Sequence, residues 1–393
     1  MIEAIEGRRV VVCCGAGGVG KTTVSAGLGL GLARGGARTV VVTIDPARRL
    51  ATALGMEGLS DEPRRVPAEP GPGGAELWAL QLDAKATFDR LVSREAPTPE
   101  ARERILANRI YRHLSGAVAG AQDYMAVERL HELVEDGSFD VIVLDTPPSQ
   151  NALDFLDAPA RITRFIEGRA LRLLLRPPVP GAGFGRRMIA AGTSTAFSLL
   201  ERLTGTQLMR DLSDFLAAFD GMYDGFAARA KAVDALLRSP EAGFVVVAAP
   251  DSEAVGQAVA LGRRLGEDGY PLAGLVLNRV HPLPPGGLAA PETLVPALAA
   301  AGAPEPASLA ERAAASQREE QILALRDLDA REALSGALNG APVTEVPAFE
   351  REPVELEGLG EVAAALSDEG RPPPRAAEPE EGVWPHRADS TPS

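Results

Sequence analysis

The feature that most constrains this chain is the stretch GAGGVGKT at residues 15–22, which matches the pattern G-x-x-x-x-G-K-[ST] in full. An apolar run, RRVVVCC, precedes it, and a small-residue helical pattern follows from about residue 21 to residue 33. Glycines let successive backbone N–H groups turn inward around a phosphate, and the following helix adds the partial positive charge of its N-terminus. A glycine-rich turn that only packs a helix on a strand is the alternative. The complete motif and its flanks favour a phosphate loop.

The motif assigns a role to each of its polar side chains. Lys21 would reach the β- and γ-phosphates of a nucleotide, and the Thr22 hydroxyl would be a ligand of Mg²⁺. We therefore expect a nucleotide and Mg²⁺ as cofactors, with Lys21 also taking part in catalysis. The loop residues predicted to bind nucleotide are Gly17, Gly18, Val19, Gly20, Lys21, Thr22 and Thr23.

Two aspartates follow apolar runs that read as strands. Asp145 ends such a run in FDVIVLDTPP, residues 139–148, where it would hold Mg²⁺ through water. Asp45 lies in TIDPARRL, residues 43–50, at the strand end where ligands bind in open α/β sheets. Asp45 is a candidate catalytic residue that orients the attacking water or contacts the metal shell. Spacing alone leaves open an ordinary turn aspartate before proline.

Short apolar runs alternate with helical patterns, which predicts an α/β fold with a mostly parallel, doubly wound sheet. Residues 154–237 break this rhythm and read as helical. We therefore predict a split P-loop domain over residues 1–153 and 238–367, with an inserted helical subdomain over 154–237 that helices from 84–135 could join. A tail rich in proline and charge, residues 368–393, is predicted to be disordered. The six predicted strands are RRVVVCC, TVVVTID, LWALQLD, FDVIVLD, FVVVAAP and LAGLVLN.

One apolar stripe lies within the insertion at three- and four-residue steps. We interpret it as core packing in preference to a groove for a client protein. Its members are Leu212, Phe215, Leu216, Phe219, Met222, Tyr223 and Phe226.

Composition narrows the classes of function. A formal net charge of −14 argues against nucleic acid and anionic lipid as partners. The N-terminus lacks a signal-peptide pattern, and the uncharged run at residues 22–33 is too short to span a bilayer, so a cytoplasmic protein without an integral membrane segment is expected. The two cysteines, Cys13 and Cys14, are adjacent on a strand and should point to opposite faces as buried apolar side chains.

Taken together, these stretches resemble the ArsA-type ATPases, which include arsenite-efflux ATPases and the cytosolic ATPase that guides tail-anchored membrane proteins. The resemblance covers about residues 8–367. CGAGGVGKTT resembles the family's phosphate loop, TIDPA its first switch with Asp45 at the water-activating position, and DTPPSQNALDFL its second switch. LWALQLDAKATFDRLV resembles the strand and helix that follow the first switch. LNRV places Asn278 at the asparagine that contacts adenine, and VPAFERE places Pro347 and Phe349 near the adenine.

The resemblance implies a dimer with nucleotides at the interface and a helical subdomain that acts on a client or effector. The prediction that the nucleotide is ATP and not GTP also rests on this resemblance. The expected partners are ATP, a second ATPase subunit and a protein client.

The chain departs from the family at three places. The family's loop usually has a lysine where this chain has Ala16, and that lysine crosses the dimer interface to the partner's nucleotide. The stretch SQNA at residues 149–152 stands where relatives often carry threonine-glycine-histidine-threonine. The metalloid-binding cysteines of arsenite pumps and the paired zinc cysteines of the targeting ATPase are absent.

Three functional hypotheses follow. The first is a dimeric Mg²⁺-ATP switch that hydrolyses ATP and moves its helical subdomain. The second, suggested by Ala16, is a nucleotide-binding, weakly hydrolysing subunit of a heterodimer with a lysine-bearing paralogue. The third, an arsenite or anion efflux subunit, is disfavoured because the thiols are missing.

Overall fold

The computed structural model describes residues 1–96, 98–108, 111, 121–147, 223–283, 288–338, 340–349, 351 and 353–367. Residues 148–222 and 368–393 lie outside this set. Most of the second switch, most of the helical insertion and the predicted tail are therefore not described, and the division into domains stays a prediction.

One eight-stranded sheet forms the centre of the described fold. Its strands are β1 Val10–Gly15, β2 Thr39–Thr43, β3 Arg64–Arg65, β4 Leu77–Gln81, β5 Val141–Asp145, β6 Ala242–Ala248, β7 Leu272–Val280 and β8 Val343–Pro347. The strand order is β3-β4-β2-β5-β1-β6-β7-β8, with β3 antiparallel to β4 and every other neighbouring pair parallel. Strands from before and after residues 148–222 therefore belong to the same sheet.

Helices cover both faces of the sheet, as a doubly wound arrangement requires. The described helices are α1 Ile2–Ile5, α2 Lys21–Arg34, α3 Arg49–Ala53, α4 Ala84–Glu95, α5 Pro99–Ala107, α6 Ala121–Asp136, α7 Tyr223–Leu237, α8 Ser252–Glu267, α9 Pro291–Ala300, α10 Pro306–Ala337 and α11 Glu355–Leu366. One face of the sheet packs on α1, α2, α3 and α11, and the other face packs on α4 to α8 and on α10. The expected α/β fold with a mostly parallel sheet is confirmed.

The continuous apolar character of β1 follows from burial on two sides. Successive strand side chains point to opposite faces. Accordingly Val12 and Cys14 lie in the core under α4 to α8, whereas Val11 and Cys13 lie in the core under α2. Both cysteines are free thiols and fully buried, as their positions in the strand predicted.

Small residues let α2 lie close to its neighbours. A Cβ built on Gly29 would come 2.4 Å from Val41 of the sheet, and one on Gly27 would come 2.6 Å from Val362 of α11. Both distances are shorter than real Cβ contacts, so these two positions need glycine to keep the present packing. The helix that begins at the phosphate loop is therefore fixed against the sheet and α11 at short range.

Two strands were missing from the sequence-based prediction. β3 has only two residues, and both are exposed. β8 lies at the sheet edge and, except for Val346, its residues are half-buried. Because the apolar signal used to predict strands depends on burial, an edge strand with the sequence VTEVP does not show it.

Ion pairs join α4, α6 and α7. The side chain of Glu128 on α6 is 1% exposed, and its Oε1 lies 2.8 Å from both Arg94 Nη2 on α4 and Arg229 Nε on α7. Arg94 and Arg90 of α4 also contact Glu132, one turn further along α6. A buried charge must be paired, so these contacts fix the relative positions of the three helices.

Within the described ranges, no helix combines the length and the apolar character that crossing a bilayer requires.

The core packing leads to a stability prediction. Phe244 on β6 is fully buried and its ring centroid lies 5.2 Å from that of Tyr270. Phe244→Ala should lower the free energy of unfolding by about 3–5 kcal/mol, because it removes buried apolar surface and leaves a cavity. The matched control is Ile322→Ala on α10, whose side chain is 66% exposed, and which should change that free energy by less than about 0.5 kcal/mol. Urea titration measures both, and equal losses would contradict the packing described.

Candidate nucleotide-binding site

The glycine-rich loop connects the end of β1 to the start of α2 at the carboxyl edge of the sheet. Gly15, Gly18 and Gly20 all have positive φ, at 151°, 80° and 93°. A Cβ on Gly15 would lie 2.2 Å from the carbonyl oxygen of Val247 on β6, so only glycine allows this approach. Positive φ at several positions of a short loop is the geometry that turns backbone N–H groups toward an anion.

The remaining loop residues surround the same turn. Gly17 and Gly18 are exposed, Val19 is buried, and Thr22 and Thr23 are half-buried in the first turn of α2. The exposed glycines come directly before the N-terminus of a 14-residue helix, so their backbone N–H groups and the positive end of the helix dipole lie close together.

Lys21 folds back over its own loop. Its Nζ donates hydrogen bonds to the carbonyl oxygens of Gly15 at 3.0 Å and Ala16 at 2.7 Å. The residue is buried, and burial lowers the pKa of Lys21, an effect opposed chiefly by the negative charge of Asp145. The ammonium group therefore lies where phosphate oxygens could replace the two carbonyls as its acceptors.

Asp145 is the centre of a hydroxyl cluster. It ends β5, between β1 and β2, in register with Cys13 and Thr43. Its Oδ2 accepts hydrogen bonds from the Thr22 and Thr43 hydroxyls, both at 2.9 Å, and Ser25 Oγ lies 3.5 Å from Oδ1. The carboxylate is fully buried, and burial raises the pKa of Asp145 to about 6, against the lowering effect of these hydrogen bonds. The structure thus joins Thr22 and Asp145, the two residues predicted to bind metal.

Asp45 lies two residues beyond β2 and is almost buried. Its Oδ1 accepts the N–H of Ala47 at 2.9 Å, and its own N–H donates to the Thr43 hydroxyl at 3.2 Å. Its Oδ2 pairs with Arg49 Nη1 at 3.2 Å. The Thr43 hydroxyl therefore links the Asp45 loop to Asp145, since it accepts from the Asp45 N–H and donates to the Asp145 carboxylate.

Two amide side chains hold the backbone at Asp45. Gln81, at the end of β4, donates to the Asp45 carbonyl at 3.1 Å, and Gln122, in the first turn of α6, donates to the Ile44 carbonyl. The sequence analysis identified neither glutamine nor the Arg49 ion pair. The strand-end position of Gln81, one strand away from Asp45, was the available signal for the first of them.

Asn278 on β7 packs directly on the phosphate loop. Its Nδ2 donates to the Val19 carbonyl at 2.9 Å, and a Cβ on Gly20 would lie 2.2 Å from this nitrogen. The next residue, Arg279, has φ of 66° at a strand irregularity and donates to the Gly18 carbonyl at 3.2 Å. Pro347 and Phe349 lie at and just beyond the end of β8, next to β7. The structure therefore brings Asn278 to the loop and places Pro347 and Phe349 further along the same edge.

The donor set suits a magnesium nucleotide. Thr22 and Asp145 offer hard oxygen ligands side by side, and Lys21 supplies a cation at the mouth of the glycine loop. Among the described residues, no group of three or more His, Cys, Asp or Glu forms a metal cage. A metal here would therefore need phosphate and water oxygens to complete its shell, which is how Mg²⁺ is usually bound with nucleotides.

A pair of glycine variants tests the loop geometry. Both Gly18 and Gly20 have positive φ, but a Cβ on Gly18 meets nothing within 4 Å, whereas one on Gly20 would collide with Asn278. Gly18→Ala should cost about 1–2 kcal/mol of unfolding free energy from backbone strain alone. Gly20→Ala should cost more, because the Asn278–Val19 contact must also break. Thermal unfolding of both variants measures the difference, and a smaller loss for Gly20→Ala would refute it.

The raised pKa of Asp145 predicts a pH dependence. The folded-state pKa of about 6 lies above the unfolded value of about 3.9. Between these values the folded chain binds more protons at this site than the unfolded chain, so the site's contribution to stability falls as pH rises. Relative to Asp145→Asn, the wild type should lose on the order of 2 kcal/mol of unfolding free energy from pH 4 to pH 6. Denaturant titrations of both proteins across this range give the difference, and a flat difference would contradict the prediction.

Comparison with known proteins gives a consistent assignment. A family model described as anion-transporting ATPase matches residues 8–283, which is most of the chain. An ATPase named get3 from Aspergillus terreus is 31% identical over 146 residues, which are 37% of this chain and 41% of that protein. An uncharacterized Streptomyces coelicolor protein is 34% identical over 170 residues, which are 43% of this chain and 40% of that protein. An Aquifex aeolicus protein whose name describes an arsenical pump-driving ATPase is 25% identical over 184 residues, covering 44% of each.

The chain spans only about two fifths of the length of these curated relatives. The family model, in contrast, covers the phosphate loop, Asp45, Asp145 and Asn278 in one match. The chain therefore belongs to the ArsA-type family of anion-transporting ATPases.

Proposed function

We propose that this protein is a Mg²⁺-dependent ATPase that works as a dimeric switch, in which ATP binding and hydrolysis reposition a helical subdomain for a protein client. The observation that carries the proposal is the cluster in which Thr22 and Thr43 donate to the buried Asp145 carboxylate beside Lys21. This arrangement supports the proposal because one set of hydrogen bonds connects the helix after the glycine-rich loop, the two candidate metal ligands and the Asp45 loop.

Each residue of the cluster has one task in the proposed reaction. Lys21 exchanges its carbonyl acceptors for β- and γ-phosphate oxygens. The Thr22 hydroxyl would bind the metal directly and the Asp145 carboxylate would hold it through water, and bound Mg²⁺ would supply charge neutralisation at the phosphates. The Asp45 carboxylate accepts a hydrogen bond from the attacking water and orients it toward the γ-phosphorus.

For the base, we propose contacts from Asn278, Pro347 and Phe349. One N–H of the Asn278 amide is used by the Val19 carbonyl, and the Asn278 Oδ1 could accept a hydrogen bond from an exocyclic amino group such as that of adenine.

The helical region is the proposed output of the switch. The described chain passes from Asp145 to Pro147 and, after the segment 148–222, returns as α7, whose Arg229 pairs with Glu128 of α6. Gln122 of the same α6 holds the Ile44 carbonyl beside Asp45. A change at the nucleotide therefore has a physical connection to α6 and α7, which supports coupling without defining the client.

The second candidate function is a nucleotide-binding subunit that hydrolyses poorly alone and pairs with a lysine-bearing paralogue. Ala16 motivates it, since a methyl group cannot neutralise phosphoryl charge across a dimer interface. A metalloid efflux subunit has less support: burial raises the pKa of Cys13 to about 12 and raises that of Cys14 as well, so neither supplies a thiolate ligand.

Steady-state ATP turnover by the purified chain, measured over a range of protein concentrations, tests the proposal. For a self-sufficient homodimer, the rate should rise more than linearly with concentration until dimerisation is complete. Lys21→Ala should abolish turnover and weaken Mg²⁺-ATP binding in calorimetry, because it removes the cation from the phosphate loop.

The outcomes separate the two candidates. Binding without turnover would favour the heterodimer subunit. Failure to bind nucleotide with Mg²⁺ present would refute both.

A further inference from the structure

The carboxylate of Asp45 has a cationic partner that the reaction described above does not use. Arg49, the first residue of α3, places Nη1 3.2 Å from Asp45 Oδ2. The Arg49 side chain is 62% exposed, whereas that of Asp45 is 9% exposed. The carboxylate is thus fixed by Ala47 and buried, and the guanidinium reaches it from the solvent side of the loop.

Hydrogen bonds connect this ion pair to the start of α2. The Asp45 N–H donates to the Thr43 hydroxyl at 3.2 Å, and the hydroxyls of Thr43 and Thr22 both donate to Asp145 Oδ2 at 2.9 Å. Arg49 is therefore held on an acidic loop that is hydrogen-bonded to the first turn of α2, directly after the phosphate loop.

Phosphoryl transfer needs positive charge at the group that moves. Charge in the transition state is spread over the three equatorial oxygens of the γ-phosphoryl group, and an arginine supplied by the same chain can neutralise it. At loop position 16 this chain has only a methyl group, and Lys21 is the single basic residue in the stretch 14–23. A second cation would therefore have to come from another element of this chain or from a second subunit, and Arg49 is the arginine of this chain that pairs with Asp45.

We propose that Arg49 is a catalytic residue of this ATPase, a cation supplied in cis that leaves the Asp45 carboxylate and binds the γ-phosphoryl oxygens during hydrolysis. This inference rests on the proposed function. When the Arg49 guanidinium moves to the phosphate, the Asp45 carboxylate becomes available to accept a hydrogen bond from the attacking water.

The chemical step balances without a change in Arg49. The water oxygen forms the new bond to the γ-phosphorus as the bond from that phosphorus to the β–γ bridging oxygen breaks, and ADP departs with the electron pair. The water proton passes to the released phosphate and from there to solvent. Arg49 keeps all its protons and acts only as a hydrogen-bond donor, since a guanidinium group has no acceptor.

Neighbouring arginines do not offer the same geometry. Arg48 is also exposed, but its side chain makes no hydrogen bond or ion pair with the residues that the structure describes. Arg279 is tethered to the Gly18 carbonyl from β7, on the opposite side of the loop from Asp45. Arg48 therefore serves as a matched control, one residue away, with the same charge and exposure.

The experiment compares Arg49→Ala with Arg48→Ala in turnover and in nucleotide binding by the full chain. Arg49→Ala should lower kcat about 10²-fold and leave the Kd for Mg²⁺-ATP within about threefold, since the lost contact forms mainly in the transition state. Arg48→Ala should keep kcat within about twofold. Arg49→Lys, which retains the charge without the planar fork, should lie between Arg49→Ala and the wild type.

A second readout separates chemistry from loop structure. Affinity for ADP with aluminium fluoride and Mg²⁺, a mimic of the transferring phosphoryl group, should fall for Arg49→Ala by about the same factor as kcat and stay unchanged for Arg48→Ala. Equal kcat values for Arg49→Ala and Arg48→Ala would overturn the role of Arg49 alone, as would a loss confined to ATP affinity. Absence of turnover in the wild type would overturn the proposed hydrolysis together with it.

Discussion

The interaction on which the rest of the site depends is the pair of hydrogen bonds that Thr22 and Thr43 donate to the Asp145 carboxylate. A carboxylate at the end of a buried strand is costly unless its oxygens are satisfied, and here the hydroxyls come from the first turn of α2 and the end of β2. Satisfying this one side chain fixes where α2 begins relative to β2 and β5. The glycine loop that precedes α2 is fixed as a result.

The two sides of the site differ in how firmly they are held. Asn278 and the glycine contacts fix the phosphate loop from β7 and β6, where a single added methyl group would collide with neighbouring atoms. The Asp45 loop is held instead by side-chain amides on backbone carbonyls and by an exposed arginine. The exposed Arg49 is thus the contact of the Asp45 loop that a bound phosphate could replace, whereas the backbone of both loops is held in place.

Much of this arrangement follows from the sequence because it is local. The strand, glycine loop and helix at residues 10–34 are continuous in the chain, and Asp145 is marked by the buried strand that it ends. Gln122, Arg49 and the edge strand β8 could not be assigned in the same way. Gln122 meets Ile44 across 78 positions of sequence, Arg49 differs from Arg48 only in the direction of its side chain, and β8 lacks an apolar pattern because it lies at the sheet edge. Contacts between distant segments depend on packing, which periodicity does not report.

The ion pairs around Glu128 have a consequence for which substitutions the helices around it can accept. Arg94 of α4 and Arg229 of α7 share that one carboxylate, so replacing Glu128 alone would remove a partner from both guanidinium groups. The loss would fall mainly on Arg229, whose side chain is 11% exposed and also pairs with Glu95, because Arg94 is 41% exposed and keeps Glu95 and Glu132. Joint replacement of Glu128 and Arg229 by apolar residues of similar volume should therefore cost less than replacement of Glu128 alone. The side chains that α6 and α7 can accept are in this way coupled through one buried carboxylate.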